Sequence, residues 1–91
     1  MAMREHRPDA LDVVIGHNIR QRRLECNMTM EQLAAPLKLT YQQLQKYETG
    51  RNRIAASRLY RLSEILGVPV GAFFEESVTP TAMRARTQAR T

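Results

Sequence analysis

Met28-Thr29-Met30-Glu31-Gln32-Leu33 and Leu39-Thr40-Tyr41-Gln42-Gln43-Leu44 are one pattern written twice, eleven positions apart. In each, the threonine hydroxyl can accept the N–H three residues on, and the glutamine there can accept the threonine's own N–H. The flanking apolar residues, Met28 with Leu33 and Leu39 with Leu44, can meet across the first turn as a hydrophobic staple. Two helix starts this close leave room for about two turns of helix, at ~3.6 residues per turn, and then a tight corner. The pattern therefore predicts a helix from Met30 to about Leu37, a turn at Lys38-Leu39 and a helix from Tyr41 to about Glu48. Pro36 cannot donate to the Gln32 carbonyl, so a distorted last turn is expected before the corner.

The flanking sequence supplies the rest of an all-α chain. A first helix is expected from Leu11 or Asp12, with Asp12 as N-cap. Val14/Ile15, Ile19 and Arg23/Cys26 form its buried stripe, and Asn27 is a residue tolerant of the left-handed cap conformation. Leu33, Ala34 and Leu37 should be buried in the second helix, Leu44 and Tyr47 in the third, which Gly50 closes. A fourth helix, about Ala56 to Leu66, turns Leu59, Leu62, Ile65 and Leu66 inward and ends at Gly67. A short fifth, Val68 to Phe74, starts at Pro69. No stretch alternates with period two. Residues 1–10 read as a flexible lead-in, 11–76 as a compact five-helix domain, and 77–91, rich in Thr, Ala and Arg, as a disordered basic tail.

Charge narrows the partners. The 91 residues carry a formal net charge of +5, and the sequence pI is about 10.1. Between His17 and Arg53, seven bases (Arg20, Arg22, Arg23, Lys38, Lys46, Arg51, Arg53) face only Glu25, Glu31 and Glu48. This excess around the paired caps suits a polyanion. The single Cys26 can form no internal disulfide and fits a reducing cytoplasm. His6 and His17 stand apart from any ligand set, so no metal or other cofactor is expected. No apolar run approaches the ~18 residues of a membrane span, and Met1 to Asp9 lacks a secretory core. No carboxylate pair, nucleophile–base set or glycine-rich phosphate loop can be assembled, which argues against an enzyme.

From Ile15 to Phe74 the chain resembles the Cro and phage-repressor (XRE) family of helix-turn-helix domains. The resemblance is carried by Ile15-Gly16-x-x-Ile19-Arg20-x-x-Arg23, Thr29-x-x-Gln32-Leu33-Ala34 and Leu39-Thr40. Tyr47-Glu48-x-Gly50 and Leu59-x-x-Leu62-x-x-x-Leu66-Gly67-Val68 then follow in order. It implies a lambda-repressor-like fold in which helices two and three form the helix-turn-helix. The chain departs from the family at the corner, where Lys38 replaces the usual glycine and must take a positive φ. It departs again where Met30 stands at a position that often holds a DNA-contacting glutamine.

The resemblance places Tyr41, Gln42 and Gln43 in the major groove of double-stranded DNA, with Gln45 and Lys46 one turn on. The residue types agree: glutamine can bond adenine N6 and N7 together, and lysine suits guanine O6 and N7. Gln43 is also claimed by its capping box. Backbone contacts are expected from the start of helix two (Thr29, Met30) and from Lys38, Thr40, Arg51, Asn52 and Arg53, which position the domain without reading sequence. By the same resemblance Arg23 and Glu48 form a structural ion pair. Family members often dimerise through the last helix, which puts Val70, Phe73 and Phe74 at a homodimer contact. Adjacent phenylalanines cannot both be buried equally, so one should complete the core. Three functions stay open at this level: a sequence-specific transcriptional regulator, in particular a small repressor; an antitoxin whose tail binds a protein toxin; and a protein-interaction module derived from the fold.

Overall fold

The computed structural model describes residues 9–76. Four α-helices, α1 (Ala10–Glu25), α2 (Met30–Ala34), α3 (Tyr41–Glu48) and α4 (Ala56–Leu66), are joined with two 3-10 segments, Ala35–Leu37 and Val70–Phe74. The five expected helices thus become four and a closing 3-10 segment, because Pro69 to Phe74 has room for little more than one turn. Residues 1–8 of the expected lead-in 1–10, and the tail 77–91, lie outside the described residues; Asp9 and Ala10 belong instead to the cap and first turn of α1.

Three of the four α-helices start on a capping box, and α4 starts after Ala55 without a side-chain cap. Both threonine capping boxes form: Thr29 Oγ1 accepts the Gln32 N–H at 3.0 Å and Gln32 Oε1 accepts the Thr29 N–H at 2.8 Å. The Thr40–Gln43 pair repeats this at 3.1 and 2.9 Å. The start of α1 differs from expectation. Asp9 is its N-cap, and Asp12 is the third helical residue, whose carboxylate accepts the Asp9 N–H at 3.2 Å. An acidic residue at either place satisfies first-turn donors, so periodicity alone could not separate them.

The helix ends share one solution. Asn27, Lys38, Gly50 and Gly67 have φ of 59°, 60°, 81° and 71°. The residue after each donates back to the carbonyl of Arg23, Ala34, Lys46 and Ser63 respectively, at 2.9–3.1 Å. These bonds satisfy carbonyls that a helix end would otherwise leave open. Pro36 stops the α-helical ladder of α2, and the chain tightens into the 3-10 turn before Lys38.

The core draws on every helix: Ile15, Ile19, Leu33, Ala34, Leu37, Leu44, Leu59, Leu62, Leu66 and Phe73 are buried. α1 forms the spine, packing against α3 and the Val70–Phe74 segment. Its approach to α3 is close enough that a Cβ on Gly16 would lie 2.2 Å from the Tyr47 carbonyl oxygen. Asn18 Nδ2 donates to the carbonyls of Phe73 and Glu75, tying the closing segment to α1. Arg22 Nε donates to the Leu66 carbonyl at 2.9 Å and places a cation at the C-terminus of α4. Among the described residues no helix is long and apolar enough to cross a membrane.

Candidate nucleic-acid interface

Burial divides α3 into two faces. Leu44 and Glu48 point into the protein, whereas Tyr41, Gln42, Gln43, Gln45 and Lys46 are exposed. The expected base-reading residues therefore share one solvent-facing surface. Tyr47 is only half-buried rather than a full core residue. Arg58 Nη1 donates to its hydroxyl at 3.3 Å, and the Arg58 guanidinium carbon lies 5.9 Å from the ring centroid. Gln43 spends its carbonyl oxygen on the cap, which leaves its NH₂ as the outward group.

Gln42, Gln45 and Lys46 line a shallow depression of about 300 Å³ together with Thr49 and Arg51. Thr49 was not singled out from the sequence. Its hydroxyl donates to the Gln45 or Lys46 carbonyl, so the oxygen lone pairs remain acceptors. Its position just beyond the helix is the only signal the sequence carries for it. Arg51 and Asn52 are exposed, and both their N–H groups bond the Lys46 carbonyl, fixing the loop to α3.

The Thr29 and Thr40 main-chain N–H groups are consumed by their glutamines, but the hydroxyl protons remain free for an anion. The Met30 side chain is partly buried and packs against the core. Lys38 is exposed at the corner. Arg53 Nε donates to Asp12 at 3.2 Å, a partner forty-one residues away that no local pattern reveals. Arg23 and Glu48 meet through two nitrogens, Nε to Oε2 at 2.7 Å and Nη2 to Oε1 at 3.1 Å.

The proposed dimer patch needs one correction. Phe73 is 1 % exposed and belongs to the core, where α1 and α4 close over it. Val70 and Phe74, at 38 % and 42 %, are the outward apolar residues.

Four short helical units around one core, with an outward polar α3 behind a capped corner, define a helix-turn-helix domain. The family model described as helix-turn-helix matches residues 19–73, and the chain belongs to that family, in its XRE/Cro type. It is 46 % identical over 77 residues to an HTH-type transcriptional regulator of Sinorhizobium medicae, covering 85 % of this chain and 55 % of that protein. The chain thus spans about half the length of that relative. Among solved structures, the clp gene regulator ClgR of Corynebacterium glutamicum superposes with a TM-score of 0.72 at 22 % identity, over 90 % of this chain and 87 % of ClgR. The restriction-modification controller protein C.AhdI of Aeromonas hydrophila gives 0.67 at 21 %, over 72 % of this chain and all of that one. The same fold also covers 35 % of the chain of FeII HppE, with a TM-score of 0.67 at 22 % identity. At these identities the superpositions establish the fold alone.

Proposed function

We propose that this domain binds double-stranded DNA sequence-specifically and acts as a transcriptional regulator, in particular a repressor, reading the major groove with α3. One observation carries the reading: Gln42, Gln45 and Lys46 share an exposed depression with Thr49 and Arg51. Base-reading amides and a lysine thus adjoin a phosphate-binding cation, on a helix whose other face is anchored in the core. Arg51, Asn52 and Arg53 follow α3 as the backbone clamp, with the Thr40 hydroxyl and Lys38 on the other side. Val70 and Phe74 are the surface through which two copies would pair. Such pairing doubles the contacts a small domain makes.

Selection of bound duplexes from a random pool, repeated at several salt concentrations, tests the proposal. The expected result is one enriched motif whose affinity falls steeply as salt rises. Recovery of no motif, or salt-independent retention, would exclude it.

A further inference from the structure

We propose that Asp12 is a positioning residue for DNA binding: its buried carboxylate orients Arg53 toward the phosphate backbone. The inference rests on the DNA-binding reading above and concerns how one of its contacts is built. Asp12 Oδ2 accepts from Arg53 Nε at 3.2 Å and from the Asp9 main-chain N–H at 3.2 Å. The two side chains sit in unlike surroundings, Asp12 at 9 % exposure and Arg53 at 60 %. The carboxylate is therefore fixed by burial and by the helix cap, and it holds an arginine that is otherwise in solvent.

Attachment through Nε occupies one of the five guanidinium donors and leaves those of Nη1 and Nη2 for a phosphate. A fork held at its base is suited to two-point recognition of an anion. A second contact docks the same loop on the same turn of α1. Gly50 has a φ of 81°, and a Cβ there would lie 2.7 Å from Val13 Cα. The first turn of α1 is thus the platform on which the loop after α3 rests.

Two effects of Asp12 on DNA oppose each other. Its charge repels the polyanion, whereas its bond removes rotamer freedom from Arg53 before DNA arrives. Near physiological salt the Debye length is ~8 Å, so phosphates farther than that from Asp12 feel little of its charge, while the orientation of Arg53 does not depend on salt. Orientation should win there.

The test is a double-mutant cycle on the full chain, titrated with a duplex it selects at near-physiological salt. Asp12→Ala should weaken binding about two- to tenfold when Arg53 is present, the range expected for ordering one long side chain. In the Arg53→Ala background, where only the repulsion is left to lose, it should not weaken binding. Asp12→Asn, which keeps an acceptor for both N–H groups, should restore affinity to within about twofold of the parent. Asp9→Ala removes the side-chain bond to the Leu11 N–H but keeps the Asp9 main-chain N–H that Asp12 accepts, so it should lower the melting midpoint and leave affinity unchanged for folded protein. Tighter binding by Asp12→Ala, or an equal loss in both backgrounds, overturns the proposal, as does an Arg53→Ala variant with parental affinity. A parent chain that selects no duplex overturns the DNA reading itself, a distinguishable outcome.

Discussion

Arg23 and Glu48 form a two-point ion pair that joins the last turn of α1 to the last residue of α3, with side chains only 7 % and 3 % exposed. Arg23 Nη1 also donates to the Met28 carbonyl at 2.9 Å, so one guanidinium binds α1, the approach to α2 and the end of α3. A carboxylate at a helix C-terminus opposes the helix dipole, and Arg23 offsets that cost. Removing one partner leaves the other charged and buried. Arg23→Ala and Glu48→Ala should therefore each cost about 3–5 kcal/mol in urea unfolding. The combined Arg23→Met/Glu48→Leu change should cost less than either. A single change costing below about 1 kcal/mol would show that the pair is no structural tie.

Gly16 should reverse the usual rule for helix interiors. Replacing an exposed helical glycine with alanine gains about 1 kcal/mol from helix propensity. Here the new Cβ would fall 2.2 Å from the Tyr47 carbonyl oxygen and 2.7 Å from that of Glu48, both main chain. α1 and α3 would have to separate, at a typical overpacking cost of about 1–3 kcal/mol. Gly16→Ala is expected to lower the unfolding midpoint. A raised midpoint would mean that the two helices can part freely.

Lys38 invites the opposite substitution. Its φ of 60° costs a side-chain-bearing residue roughly 1–2 kcal/mol, against about 0.5–1 kcal/mol for the extra unfolded-state freedom of glycine. Lys38→Gly should stabilise the domain by up to about 1 kcal/mol. If Lys38 also touches a phosphate, the same variant should bind DNA more weakly, with a salt slope reduced by roughly one unit. Greater stability with an unchanged slope would leave Lys38 out of the interface.

The local devices were legible because they are written within a few residues. Thr29–Gln32, Thr40–Gln43 and the left-handed ends at Asn27, Gly50 and Gly67 need only neighbours. The broken ladder at Pro36 followed from residue type, whereas the strained corner at Lys38 came from the family comparison, which has glycine there. Contacts over long separations were another matter. Asp12–Arg53 spans forty-one residues and Arg58–Tyr47 joins two helices by side-chain reach, and no periodicity encodes either. The Arg23–Glu48 pair came from family resemblance rather than from spacing. Phe73 and Phe74 show the limit within one turn, where adjacency required that they differ but gave no rule for which faced in.

Gln42 and Arg51 line the same depression yet should fail in different ways. Gln42→Ala should lose discrimination at one base-pair position, by about 1–3 kcal/mol, and leave the fold intact. Arg51→Ala should weaken binding to all duplexes alike and lower the salt slope by roughly one unit. Selected motifs and salt titrations read the two effects separately. Interchanged phenotypes would require α3 to be rotated about its axis relative to the groove.

Phe73 and Phe74 provide an internal control for the proposed dimer. Two domains reading successive major grooves on one face of DNA must hold their recognition helices ~34–36 Å apart about a two-fold axis. The outward apolar pair Val70 and Phe74 is at the end of the domain that closes over α1. Phe74→Asp should reduce dimerisation and cooperative binding to an inverted repeat while the monomer still melts cooperatively. Phe73→Asp puts a charge at a site only 1 % exposed and should unfold the domain instead, since an unpaired buried charge costs several kcal/mol or more. Sedimentation with and without the selected duplex, paired with thermal melts, distinguishes the two. A Phe74→Asp protein that sediments and binds like the parent would place the two-fold contact elsewhere, and a parent that stays monomeric on a single half-site would remove it.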